Sequence, residues 1–124
     1  MDKEQLPFLS ATELASLIKS RQVSPVEAAE AYLERIPQVD GKLNSYITVT
    51  ADRAMADARL AEREIVAGNY RGPMHGVPVA VKDQFYTKGI LTTGGSNILK
   101  DFVPEEDATV VSRLSEAGAV LLGK

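Results

Sequence analysis

Leu14, Leu17 and Ile18 recur at helical spacing just after Ser10-Ala-Thr-Glu13. That tetrad fits a capping box, in which Ser10 and Glu13 each satisfy a backbone N–H left free at a helix start. The pattern predicts a helix beginning at Ser10. A second apolar stripe, Val26, Ala29, Leu33 and Ile36, follows Ser24-Pro-Val-Glu27. Here Ser24 caps, Pro25 suits the first helical position and Glu27 completes the box. Pro37 and Gly41 are expected to end this helix. Tyr46-Ile-Thr-Val49 is short and β-prone and reads as a strand. Ala54, Ala58, Ala61 and Ile65 line a third helix from about Thr50, with Gly68 placed to stop it.

The pattern changes near residue 68. Of nine glycines, only Gly41 comes earlier. Arg71-Gly-Pro-Met-His-Gly76 reads as a turn, and Val77-Pro-Val-Ala-Val81 as a strand apolar on both faces. Lys82-Asp83 stops that strand. Gly89 to Ser96 reads as loop or short extended structure. Asp107 is placed to cap a helix carrying Val111, Leu114 and Ala117, which Gly118 ends. Ala119-Val-Leu-Leu122 is a second apolar strand. Strand, helix and strand in this order predict a parallel α/β unit with a right-handed crossover.

Composition narrows the function. With Lys+Arg 14 and Asp+Glu 17, the net charge of −3 argues against a general nucleic-acid binder. The absence of cysteine removes disulfide scaffolds, Cys-ligated zinc and thiol catalysis, and suits the cytoplasm. No apolar run approaches the ~20 residues that span a bilayer, and Met1 to Glu13 lacks the apolar stretch of a signal peptide. A soluble globular chain is expected, and 124 residues suffice for a core.

Lys82 is the first candidate for chemistry. It follows an apolar strand, and in open parallel sheets function gathers at strand carboxyl ends. A lysine held in an apolar wall loses hydration, which disfavours its charge and lets the neutral amine accept a proton. The residues alone favour a plainer alternative, in which Lys82 reaches water and pairs with Asp83. Thr92-Thr-Gly-Gly-Ser96 offers backbone N–H groups to an anion or carbonyl, but reads first as a Gly-rich turn. Ser96 as a nucleophile would need a base within reach. Gly118 to Lys124 matches most of a P-loop, yet its four intervening residues are the strand itself, so the match reads as chance. His75, the single histidine, reads as a solvent-facing loop residue, and Glu105-Glu106-Asp107 as a complement to a helix dipole.

The stretch Gly72-Pro-Met-His-Gly-Val-Pro-Val-Ala-Val-Lys82-Asp83 resembles the lysine segment of the amidase signature family. Thr87-Lys-Gly89, Thr92-Thr-Gly-Gly-Ser96, Phe102-Val-Pro104, Asp107-Ala-Thr-Val-Val111 and Gly118-Ala-Val-Leu-Leu-Gly-Lys124 match that family in order and spacing. Glu30-Ala-Tyr-Leu-Glu-Arg35 and Lys42-Leu-Asn44 are similar to it as well. The resemblance covers nearly the whole chain. The family includes simple amide hydrolases and the A subunit of the glutamyl/aspartyl-tRNA amidotransferases.

The resemblance implies an α/β fold of N-terminal helices plus the first strands of a mixed sheet covered by helices. Residues 1–124 would be the N-terminal portion of a single amidase domain, with 1–68 mainly helical and 69–124 the first part of the α/β core. The family's machinery is a Ser–cis-Ser–Lys triad. Its lysine falls on Lys82, and both serines belong to a Gly/Ser-rich segment downstream of Lys124. Gly94-Gly-Ser96 aligns elsewhere in the family, so these 124 residues are expected to be inactive alone. The full-length enzyme would turn a carboxamide into a carboxylate and ammonia through an acyl-enzyme, with no metal or organic cofactor. The implied partners are a small-molecule amide substrate and the C-terminal part of the same fold. A homodimer stays open, as do the other amidotransferase subunits if the chain is of the amidotransferase type. No membrane and no direct nucleic-acid contact are expected. Gln84 stands where many of the amidotransferase members carry Asn and tilts the reading toward simple amidases. A non-catalytic partner-binding or structural fragment is the third reading.

Overall fold

The computed structural model describes residues 2–124. After a 3-10 turn at Lys3–Phe8 come helices α1 (Ala11–Lys19), α2 (Pro25–Leu43) and α3 (Ala51–Val66). Strand β1 (Pro78–Ala80), a 3-10 turn at Asn97–Leu99, helix α4 (Thr109–Glu116) and strand β2 (Val120–Gly123) complete the order. Both capping boxes form. Ser10 accepts from the Glu13 N–H and Ser24 from the Glu27 N–H, while each glutamate accepts from its cap residue's own N–H at 2.8 Å.

The strands pair in parallel, Pro78 opposite Val120 and Val79 opposite Leu121, with the register slipping before Ala80 meets Gly123. This is the expected mixed α/β arrangement of helices on a short parallel sheet. Helices α2 and α3 approach closely because their facing residues are alanines. Ala29, Ala54 and Ala58 are fully buried against Val120 and Leu122. A second cluster gathers Leu6, Leu14, Ile18, Ile65 and Val77, and a third joins Val81, Val111 and Leu121.

Four sequence expectations are corrected. Helix α2 runs through Pro37 and Gly41 to Leu43; it ends where Asn44 turns left-handed at φ 52° and Asp40 accepts from the Ser45 N–H at 2.7 Å. A missing N–H at Pro37 removes one bond from a helix already fixed by tertiary packing. Residues 46–49 form no regular strand, although Val49 bridges Gly123 and Ile47 and Thr48 both donate to the Lys124 carbonyl. Asp107 does not cap α4. Ala108 holds that position without a side-chain bond, and Asp107 accepts instead from the Lys88 N–H at 2.7 Å. Finally, only β2 is buried throughout: β1 has Pro78 and Val79 half-buried and Ala80 exposed, between buried Val77 and Val81.

Candidate active site

Lys82 lies two residues beyond β1, after buried Val81, whose N–H donates to the Gly123 carbonyl at 3.1 Å. Its side chain is exposed and lines a cavity of ≈ 560 Å³, with Asn44, Tyr46, Asp83, Gly94 and Lys124 also on the wall. The turn that follows is tied at successive points. The Phe85 N–H donates to the Lys82 carbonyl at 3.0 Å, and the Gly94 N–H to the Asp83 carbonyl at 2.7 Å.

Asp83 faces inward and is 7% exposed. Its Oδ2 accepts from the Thr93 N–H at 2.9 Å and from the Thr93 hydroxyl. Its Oδ1 has no hydrogen-bond partner and lies 3.8 Å from the ammonium of Lys124. Of the plainer alternative, the structure keeps one half and corrects the other: Lys82 is exposed to water rather than held in an apolar wall, but the Asp83 carboxylate faces a different lysine. The turn that begins here leaves the Lys82 side chain exposed and the Asp83 carboxylate buried.

Sequence patterning misses Lys124, whose motif reads as a chance P-loop match. Gly118 to Lys124 is indeed a turn followed by β2, but the Lys124 side chain is fully buried. It donates to the Phe85 carbonyl at 2.7 Å and to the Thr92 hydroxyl. Burial pushes its amine below the ordinary lysine value, and the Asp83 carboxylate opposes that shift. The available signal is positional: Lys124 closes an apolar strand just as Lys82 does. Thr92-Thr-Gly-Gly-Ser96 is a turn whose two threonines point at Lys124 and Asp83. Ser96 accepts from the Ile98 N–H, starting the 3-10 turn.

His75 corrects another expectation, being 1% exposed rather than solvent-facing. Its Nδ1 accepts from the Arg71 N–H at 3.0 Å, so Nε2 carries the proton and faces Glu64 Oε2 at 3.0 Å. Both ring nitrogens are satisfied, which removes the usual cost of burying an imidazole. Burial pushes its pKa below 6.5. Among the described residues, no three Asp, Glu or His side chains gather as a metal site requires, and no helix is long and apolar enough to cross a membrane.

A family model described as Amidase matches residues 27–124. The chain belongs to the amidase family. The A subunit of the glutamyl-tRNA(Gln) amidotransferase of Geobacter sulfurreducens is 53% identical over 116 residues, 94% of this chain and 24% of that protein. AmiD of Mycobacterium tuberculosis, named as an amidase, is 45% identical over the whole chain and 26% of its own length. The solved peptide amidase of Stenotrophomonas maltophilia superposes with a TM-score of 0.88 at 34% identity, covering 96% of this chain and 25% of that one. The chain thus spans about a quarter of the length of the relatives it matches. The amidase-family match includes Lys82, the strand before it and the buried Asp83–Lys124 pair behind it.

Proposed function

We propose that the chain supplies the general base of an amide hydrolase, Lys82, and that the two serines implied by the family resemblance lie outside these 124 residues. In the complete protein the nucleophilic serine oxygen attacks the carboxamide carbon. Its proton passes to the bridging serine, whose own proton moves to the Lys82 amine. The tetrahedral intermediate collapses, the C–N bond breaks, and the leaving nitrogen takes up the proton to depart as ammonia. Water then attacks the acyl-serine and releases the carboxylate. One observation carries this reading: Lys82 is exposed on the cavity wall, while the carboxylate of Asp83, on the same wall but buried, lies 3.8 Å from Lys124 rather than pairing with Lys82. Asp83 therefore does not hold Lys82 as an ion-paired ammonium. A cytoplasmic setting and a homodimer belong to the same reading.

The test is single-turnover acylation by the full-length enzyme. Lys82→Ala is expected to remove nearly all of it, leaving a small residual rate. Lys82→Arg is expected to fail too, because a guanidinium stays protonated and cannot accept the relayed proton. Near-normal acylation by Lys82→Arg would make Lys82 a fixed charge and end the proton-relay reading.

The 124-residue chain alone is expected to turn over no carboxamide. Turnover that vanishes in Lys82→Ala would overturn this and bring Ser96 forward as a nucleophile. Among the described residues the sheet has only two strands, and its unpaired edges support self-association of the isolated chain. A monodisperse monomer with a cooperative melt would contradict it.

The identity with the Geobacter sulfurreducens protein supports a second reading, the A subunit of a tRNA-dependent amidotransferase. Gln84, exposed at the cavity, still favours the simple amidase. Copurification of the full-length protein with the other amidotransferase subunits separates the two.

A further inference from the structure

The backbone that carries Lys82 is anchored from below by groups the proton relay does not use. The Lys124 amine donates to the Phe85 carbonyl and the Phe85 N–H donates to the Lys82 carbonyl, so the buried side chain holds the far end of the Lys82–Phe85 turn. Asp83 adds two attachments to the facing loop. Its carbonyl accepts from the Gly94 N–H and its carboxylate from Thr93. Thr92, next in that loop, binds Lys124 in turn. Lys124 thus meets Phe85, Thr92 and, at 3.8 Å, Asp83, and Asp83 holds Thr93.

Two buried ions are an expensive way to fasten a turn. Apolar side chains of similar volume often hold such a place as well or better. What a charge pair adds is fixed direction: an ammonium and a carboxylate tolerate few geometries when water is excluded. The group that benefits is Lys82. Both Lys82 and Asp83 line the cavity, but Lys82 is the exposed one and sits on a long flexible stem. A proton acceptor misplaced by about 1 Å can cost ~10²-fold in rate.

We propose that Asp83 and Lys124 are positioning residues for Lys82, a buried pair that fixes where the base lysine leaves β1. The proposal rests on Lys82 being the base. It predicts a defect in chemistry rather than in substrate binding, because the Asp83 and Lys124 side chains are buried in the cavity wall while Lys82 is exposed.

The experiment uses the full-length enzyme and a double-mutant cycle. Asp83→Asn keeps the shape and the Thr93 contact but removes the charge facing Lys124; Lys124→Met keeps the length and removes the ammonium. Acylation is measured per folded molecule, with folding checked by circular dichroism, in the native background and in Lys82→Ala. Each variant is expected to acylate about 10²-fold more slowly at a KM within about twofold of the parent. In the Lys82→Ala background neither should slow the residual rate further, since the group they position is gone. Near-normal acylation by Asp83→Asn would overturn the proposal. An equal drop in both backgrounds would do so as well, because it would mark a structural role independent of Lys82. Near-normal acylation by Lys82→Ala itself would instead remove the base assignment, a separate and recognisable failure. If Lys124→Met does not fold, Asp83→Asn carries the cycle alone.

Discussion

Residues 2–68 mostly keep their polar contacts short in sequence. Ser10 meets Glu13, Ser24 meets Glu27, Asp40 meets Ser45 and Arg53 meets Asp57. Residues 69–124 add longer ones at the candidate site: Asp83 reaches Thr93, Lys88 reaches Asp107 and Lys124 reaches back to Phe85 and Thr92. His75 joins the halves through Glu64. The first region is a scaffold whose parts form by local rules: α1 and α2 each have a capping box, and all three helices have an apolar stripe. The second is a set of turns that exist only because distant residues meet, and it carries the candidate chemistry. Precise placement of a reactive side chain demands contacts from several directions, which one helix cannot provide.

The largest effect that would sharpen this contrast is expected at Gly118. It sits at φ +79°, and a methyl group there would overlap the His75 ring. Gly118→Ala combines left-handed strain with overpacking and should cost ~3 kcal/mol. Denaturant melts of the full-length protein read it directly. A loss under about 1 kcal/mol would show that the turn yields easily and that the second region is less tightly determined than its contacts imply.

Next comes the pH dependence of the joint between the halves. Burial holds the His75 pKa below 6.5, so the folded imidazole stays neutral while the unfolded one takes up a proton. Stability is therefore full above pH 6.5 and falls as the pH drops from there toward the folded value. The Arg71 N–H on Nδ1 reinforces the sign, since the second proton would have to go where a donor already points. Glu64 is shifted down from 4.5, chiefly by its hydrogen bond from Arg71, so its contribution is lost only at more acidic pH. The melting temperature should decline as the pH falls below 6.5, and His75→Gln should flatten that decline. An unchanged slope in His75→Gln would move the pH sensitivity elsewhere.

The same contrast explains what is legible in the chain itself. Helices α1 to α3 are legible because an apolar stripe, joined at α1 and α2 by a capping box, lies within one short stretch of sequence. Even there Pro37 misleads, since the packing that carries α2 past it comes from other elements. Lys82 is legible through the ordered motifs around it, from Gly72 to Asp83. Its anchors are not. Nothing local to Lys124 says that its ammonium turns inward, because the Phe85 carbonyl and the Thr92 hydroxyl that receive it are 39 and 32 residues away. His75 hides for the same reason: one partner, Arg71, is near, but Glu64 belongs to the preceding helix.

The smallest effects belong to the caps, and they test the scaffold side of the comparison. Ser24 accepts from the Glu27 N–H at 3.0 Å on an exposed helix end. Ser24→Ala leaves that N–H to water and should cost ~1 kcal/mol, whereas Ser24→Gly should cost only a few tenths. Ser10→Ala removes the equivalent bond at α1, and the two caps share no partner. Their effects should add within about 0.5 kcal/mol in the double variant. Asp83→Asn and Lys124→Met act on one set of contacts, so their combined effect should fall well short of the sum. Additive caps beside a non-additive buried pair is the outcome expected if the first region is built by local rules and the second by mutual ones. Strong coupling between Ser10 and Ser24 would break the distinction, because two exposed serines on separate helices can interact only if the helical region folds as one determined unit.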